Sequence, residues 1–467
     1  MSGLFSSLNS TVMALGAHSR AIETTGKNLG NVNNASYARQ RVMYGDRGTV
    51  VTPQGAESLG MEALGVEQMR DVLLDRQVMR EAGLAASYNT EQRAYQRAQA
   101  ALGQSVDRTR SAADSDVSGI ATALDSFFNA FQSFASRPTD PGERQSLLQQ
   151  SAVLTDRLRL TDQRLDQVQS DLDSQIGDDV TEINRLLDTI AELNGQIGRF
   201  EVNAPGSAVD LRDQRQARLE ELAAKLPVEV ADSSNGQVRV FSRDANGAAV
   251  VLLDLTQVQG TVAFSGTQLT AGNPATALAL TSGSVHGALT ARDGAIETLR
   301  NDLDLLARQL VTSVNDLYNP TGATGDFFVA SGTSAGTIRV APTVSASSLK
   351  ASDGGAAGDN SIALAIGALR AQVFSTAGGD AIDGTFVGFY SHVVGKLGQA
   401  LAGANARVED QSSIEQLVRS QRDAVSGVSL DEEMADLMKY QRAFQASSRV
   451  FATVDELLDL VVNRLGR

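Results

Sequence analysis

The 467-residue chain contains no cysteine and no tryptophan. Without cysteine it can form no disulfide, no thiolate nucleophile and no cysteine-ligated zinc site. Aromatic residues make up only 5% of it. Packing therefore falls to Ala, Leu and Val, which suits long helices better than one compact enzyme core. Histidine is scarce too: His18, His286 and His392 stand alone, and none has a metal-ligand spacing such as H-E-x-x-H. No stretch approaches the ~18 apolar residues of a membrane span. Residues 1–30 lack the continuous apolar core of a secretory signal, because Ser, Asn, Thr and Gly interrupt it. That fits a cytosolic protein, or one exported without a cleaved signal. Basic clusters are missing as well, and 40 Lys and Arg against 55 Asp and Glu leave a net charge of −15. Such a chain repels phosphate backbones, so nucleic-acid binding is not expected.

What is present is periodicity. Leu8, Leu15, Ile22 and Leu29 recur every seventh residue, and Phe5 and Val12 stand three before two of them. On a helix they make one narrow stripe. The remaining Ser, Asn, Thr and Gly are mediocre helix formers, so this helix needs a partner. The other end repeats the pattern: Leu430, Leu437, Phe444, Phe451, Leu458 and Leu465 form a heptad series, which Met434 and Tyr440 widen. Ser429 followed by Glu432 reads as a capping box behind the breaker Gly427. The two stripes could pack on each other, on other subunits, or both.

Between the ends, the 3–4 spacing predicts helices over about 71–110, 116–136, 142–200, 208–226, 285–318 and 386–425. Residues 228–255 differ, with alternating β-like runs around Asn235-Gly236 and Asn246-Gly247. Those dipeptides favour type I′ hairpin turns. Residues 320–385, rich in Gly, Ala, Ser and Thr, read as loosely specified β or irregular chain. The fold class expected is mainly α with β insertions, α+β and multidomain. Its divisions are a terminal assembly segment (1–60), a long helical body (61–226), a β domain (227–284), two returning helices (285–319 and 386–428), an insertion (320–385) and the C-terminal heptad helix (429–467).

Signals of chemistry are weak. "GTSAG" at 332–336 fits G-x-S-x-G, yet a nucleophile elbow needs a strand-to-helix turn, and here the flanks read as strands. A serine hydrolase using Ser334 with His286 or His392 is the alternative from another class. Asp232–Gly236 and Asp244–Gly247 lack the alternating ligands of a calcium loop, and "GGAAG" at 354–358 lacks the lysine of a phosphate loop. No catalytic, cofactor or metal site is expected.

The remaining feature is "NLGNVNNASYARQRVMYG" at 28–45. Asn28, Asn31, Asn33 and Asn34 crowd the end of the first helix. Asparagine tolerates the left-handed region and bonds nearby backbone, so the run should stop the helix and redirect the chain. Tyr37 adds an apolar ring with a polar tip. Arg39 and Arg41 would share a face in extended chain.

Residues 3–42 resemble the N-terminal signature of the bacterial flagellar rod, hook and hook-associated axial proteins, an amphipathic helix followed by N-x-x-N-x-x-T-x-G-Y-x-R. Asn28, Asn31, Tyr37 and Arg39 match it; Asn34 and Ser36 stand where Thr and Gly are usual. Residues 426–465 are similar to the family's C-terminal signature through Val428, Glu432 or Glu433, Leu437, Gln441, Phe444 and Ala446. "RDVLLDRQ" at 70–77 resembles the opening of the first body helix in the branch that joins hook to filament. The resemblance implies a non-enzymatic, self-assembling axial subunit, exported unfolded by the flagellar type III apparatus and located outside the cell. Hook protein, hook-associated protein 3 and an export chaperone at the C-terminal helix are its implied partners, alongside copies of itself. It also implies terminal helices that order only when neighbours cover their stripes. Other axial proteins, such as hook protein or hook-associated protein 3 itself, are the rival reading within the family.

Overall fold

In a computed structural model, residues 2–52, 55–58, 60–103, 119–322, 325–354 and 358–460 are described. In chain order the elements are α1 (Ser2–Gly30), β1 (Gln40–Asp46), β2 (Thr49–Thr52), β3 (Gly55–Ser58), β4 (Met61–Gln68), α2 (Val72–Ala101), α3 (Ile120–Ser136), α4 (Pro141–Phe200) and α5 (Val209–Ala223). Short strands follow: β5 (Glu229–Asp232), β6 (Val238–Arg243), β7 (Ala249–Asp254), β8 (Gln257–Val258), β9 (Ala263–Phe264), β10 (Leu269–Ala271) and β11 (Thr276–Ala277). The chain closes with α6 (Gly283–Ala291), a π-helical turn (Arg292–Ile296), α7 (Glu297–Tyr318), α8 (Ser361–Ala368), α9 (Phe386–Ser426) and α10 (Leu430–Asp459). The class is mainly α with small antiparallel sheets, as the sequence suggested. The helix read over 71–110 is observed as α2, and its last residues, like 116–118 and Leu465, lie outside the described residues.

The chain forms two compact units. The first holds Met1–Ala85, Val180–Gly283 and Gln411–Arg467. Here α1 packs along α10, and β1 pairs with β4 beside them. Residues 40–68, which sequence periodicity did not mark as strands, thus form two antiparallel pairs, β1–β4 and β2–β3. The order β5-β6-β7-β8 makes a four-stranded sheet and β11-β10-β9 a three-stranded one. Val238, Val240, Leu252 and Leu253 are buried, as alternating strands require. Of the two Asn–Gly turns, only the first has both residues left-handed (Asn235 φ 59°, Gly236 φ 69°). At the second, Gly247 alone is left-handed (φ 80°) and donates its amide to Asp244 O at 3.0 Å. That is a type I turn closed by a glycine bulge rather than the expected type I′ turn, because three residues, 245–247, separate Asp244 from Ala248, whose carbonyl accepts the Asp244 amide at 3.0 Å.

The second unit holds Ala86–Asp179 and Ser284–Asp410. Its core gathers much of the sparse aromatic content. Phe127, Phe128, Phe131 and Phe134 line one face of α3 and are fully buried, as are Phe327, Phe328 and Phe386. Phe127 meets Phe131 edge-on at 5.1 Å, and Phe327 meets Phe328 edge-on at 4.9 Å. The stretch expected to be loosely specified is therefore well packed. Asn315 of α7 fixes its entry by accepting the amides of Phe327 (3.1 Å) and Phe328 (2.9 Å) and donating to Phe328 O (3.0 Å). The apolar run at 361–368, not read as a helix from sequence, is α8 and packs on α3.

The hydrolase alternative finds no geometry. Ser334 Oγ shares a hydrogen bond with Thr337 Oγ1 at 2.7 Å inside a turn. His286 Nδ1 faces Ser87 Oγ instead, at 2.9 Å.

Candidate assembly interface

The Asn-rich turn acts through side chains. Asn235 and Leu255 are the non-glycine residues at positive φ among the described residues, so none of Asn28, Asn31, Asn33 and Asn34 uses the left-handed region expected of it. Asn31 caps α1 by donating Nδ2 to Lys27 O at 3.0 Å, and Asn34 Oδ1 accepts Ser36 N at 3.2 Å in an Asx turn. Asn33 is exposed.

Asn28 does more. It is 1% exposed and makes all four bonds an amide can make. Its Nδ2 donates to Gln40 O and to Glu433 Oε2, both at 2.9 Å. Its Oδ1 accepts the Tyr37 hydroxyl at 2.8 Å and Gln40 N at 3.0 Å. One side chain thus ties the end of α1, the turn, the start of β1 and the first turn of α10. Arg39 completes the lock. Its Nε reaches Glu433 Oε1 and its Nη1 reaches Glu432 Oε2, each at 2.7 Å, with Asp436 Oδ2 at 3.7 Å. Its own amide donates to Ser426 O at 2.8 Å, the last residue of α9. Glu433, 2% exposed, is buried only because Arg39 and Asn28 satisfy it.

These bonds explain why the capping box is absent. Ser429 is the N-cap residue of α10, with no side-chain cap bond, and Glu432 turns outward to Arg39 instead of back to the cap.

A second buried knot lies behind the turn. Asp213 Oδ1 of α5 accepts Ala38 N (3.3 Å), Gln68 Nε2 (2.8 Å) and Arg70 Nη2 (2.6 Å). Arg70 also donates to Ser36 O at 2.8 Å and pairs with Asp75 at 2.9 Å. Asp213 Oδ2 is buried without a partner. Burial pushes the Asp213 carboxyl up to about 6, although Arg70 pulls it down. Burial, then the charges of Asp213, Asp210 and Glu433, hold the Tyr37 hydroxyl well above its usual range. Sequence reasoning missed Gln40 and Asp213, whose partners are remote in the chain. Arg70 and Asp75 did fall within the singled-out "RDVLLDRQ".

The stripes sit differently from expectation. The side of α1 that is buried carries Thr11, Ala17, Ala21, Thr24, Thr25 and Asn28. Leu8, Leu15, Ile22 and Leu29 are half-buried on its flank, one position round the helix, about 100° away. Phe5 and Val12 are exposed. On α10, Glu433, Val454 and Leu458 are buried, Leu437 and Phe451 are half-buried, and Leu430, Met434 and Phe444 are exposed. The buried face of α1 is made of small and polar residues, while Phe5, Val12, Leu430, Met434 and Phe444 are left facing outward. Met438, Val450, Leu457 and Leu460 enlarge that exposed set.

The chain is similar in sequence to known flagellar proteins. Residues 104–328 match the model of the flagellar hook-associated protein FlgK helical domain, and 419–465 match that of the flagellar basal body rod FlgEFG protein C-terminal region. Together these cover more than half of the chain. Flagellar hook-associated protein 1 of Bacillus subtilis (strain 168) is 25% identical across 100% of this chain and 99% of its own length. Its counterpart from Escherichia coli (strain K12) is 24% identical across 98% of this chain and 99% of its own length. The one from Salmonella typhimurium is 25% identical with the same coverage. The solved flagellar hook junction protein FlgK from Burkholderia pseudomallei aligns over 54% of this chain and 46% of that one, at 23% identity and a TM-score of 0.46.

Proposed function

Because this chain belongs to the flagellar hook-associated protein family, we propose that it is the axial subunit that joins hook to filament. It is a structural component of the flagellum and not an enzyme. In this reading it leaves the cell unfolded through the flagellar type III apparatus. It then stands between hook protein and hook-associated protein 3, with copies of itself alongside, outside the cell. An export chaperone holds α10 beforehand.

The observation that carries the proposal is the exposed apolar set on the paired terminal helices. Phe5, Val12, Leu430, Met434 and Phe444 all face solvent in the single chain. Leu430, Met434 and Met438 recur every fourth residue and so share one face of α10, and an exposed apolar face of that kind marks an interaction site. Each such side chain is already about half covered, so covering the rest contributes about 1 kcal/mol, roughly half the value for full burial. The lock of Asn28, Tyr37, Arg39 and Glu433 sets the two helices in the register that presents these side chains. Leu8, Leu15, Ile22, Leu29, Leu437, Phe451 and Leu458 then serve as the half-buried or buried supports of that face.

The test is Met434→Asp and Phe444→Asp, each on exposed positions. We expect normal circular dichroism of the purified chain, failure to enter the axial structure, and filament protein lost to the medium. Normal filaments in both variants would refute the assignment.

A further inference from the structure

The chain has three Asn–Gly dipeptides, at 194–195, 235–236 and 246–247. In such a pair the glycine amide nitrogen can attack the asparagine side-chain carbonyl, since glycine has no Cβ to hinder the approach. The structure treats the three very differently.

Asn194 lies inside α4 and is fully buried. Its Nδ2 donates to Val238 O (2.8 Å) and Leu255 O (2.7 Å), while its Oδ1 accepts Arg215 Nη1 (2.9 Å) and Val238 N (3.3 Å). Four buried bonds and a helical backbone keep its carbonyl away from Gly195 N. Asn235 is exposed, but its neighbour is clamped. Gly236 O accepts buried Arg215 Nη1 at 2.7 Å. A Cβ on Gly236 would come within 2.2 Å of Glu201 Oε2, so the backbone there is closely enclosed. Turning that peptide toward Asn235 would strip the Arg215 guanidinium of one acceptor in a buried site.

Asn246 is restrained only by exposed bonds of its own turn. It is exposed, and nothing lies within 4 Å of a Cβ placed on Gly247. The turn is held by Gly247 N to Asp244 O and Asp244 N to Ala248 O, both at 3.0 Å, by Asp244 Oδ1 accepting the amides of Asn246 (2.9 Å) and Ala248 (2.8 Å), and by Arg243 Nη1 to Gly247 O at 2.9 Å; the bonds that involve side chains are exposed. Bonds in water contribute little net stability, so this turn opens readily.

We propose that Asn246 is a site of spontaneous deamidation, while Asn194 and Asn235 persist in the folded chain. Gly247 N loses its proton and forms a bond to Asn246 Cγ. The Cγ–Nδ2 bond breaks and ammonia departs, leaving a succinimide. Water then adds to one of its two carbonyls and opens the ring to aspartate or isoaspartate, with no change of oxidation state. Each event takes the net charge one unit below −15. It also places a carboxylate beside Asp244, whose Oδ1 accepts Asn246 N at 2.9 Å.

Cleavage after arginine and lysine puts the three dipeptides on separate peptides, so mass spectrometry of the full chain aged at mildly alkaline pH reads each one. We expect conversion at Asn246 to outrun that at Asn194 and Asn235 by at least an order of magnitude, with isoaspartate in excess. Ageing in strong urea should bring all three to similar rates, and Asn246→Gln should abolish modification of its peptide alone. Equal rates at the three sites in the folded chain would overturn the proposal. So would an unmodified Asn246 under conditions where the urea-unfolded chain reacts there.

Discussion

Asn28→Ala is the sharpest probe of the lock. The substitution removes four hydrogen bonds from a position 1% exposed. Gln40 N, Gln40 O and one lone pair of Glu433 are left in a buried site without that partner. The Tyr37 hydroxyl, only part-buried, can turn to water and recover some of its loss. An unmatched buried group costs about 1–3 kcal/mol, so three of them at the low end of that range give a loss of about 3 kcal/mol. Arg39 still holds Glu433 through Oε1, which keeps the figure from rising further. A chain of two units need not unfold in one step, so a single melting temperature is the wrong readout. Native-state hydrogen exchange resolves the local opening. Protection of amides in α1, in α10 and at Gln40 should fall by about 3 kcal/mol, a factor of roughly a hundred. Amides of α3 and α7, in the second unit, should not change. Unaltered protection in α1 and α10, or an equal loss throughout both units, would refute the idea that Asn28 couples the two ends of the chain.

Three further outcomes are expected. The Asp213 carboxyl has a folded-state pKa of about 6 against 3.8 when free. A raised acid pKa means the folded state holds the proton more tightly, so this group's stabilisation is full below about 3.8 and is lost as pH rises through about 6. The loss is about 3 kcal/mol; Asp213→Asn should flatten that part of the stability profile between pH 4 and 7, and an unchanged difference between variant and parent across that range would count against it. A Cβ on Gly287 would stand 2.1 Å from Ser87 O, a backbone atom of α2; Gly287→Ala should cost about 1–3 kcal/mol or more, seen as lower native-state hydrogen-exchange protection in the second unit. Phe127→Ala empties the centre of the aromatic core, where four other rings approach within 6.1 Å, and should cost about 3–5 kcal/mol in the same assay.

Much of the helical architecture was legible. α4 occupies Pro141–Phe200 where 3–4 spacing marks 142–200, and α9 occupies Phe386–Ser426 where it marks 386–425. Long helices announce themselves because each apolar position is repeated many times. The strands of residues 40–68 were not legible, since their burial pattern is irregular and a bulge between Met43 and Tyr44 breaks the alternation. The π-helical turn at Arg292–Ile296, with Gly294 at its non-helical point, also left no periodic trace. In the candidate interface, Asn28, Tyr37 and Arg39 stood out through the family signature. Asp213 did not, because nothing near it in the chain shows that Ala38, Gln68 and Arg70 will converge on one of its oxygens.

Sequence alone determined that both ends of this protein are amphipathic helices, that an Asn-rich turn ends the first, and that the chain is mainly helical. Periodicity and turn chemistry depend on residues a few positions apart, so they survive without knowledge of the fold. Tertiary structure decided which face of each helix is covered. The buried side of α1 is the Ala, Thr and Asn face beside the leucine stripe, because close approach of two helices selects small side chains over large ones. It also decided that Asn28 meets Glu433 across 405 residues of chain. A buried carboxylate takes whichever donors packing brings to it, and that choice is made in space, not along the sequence.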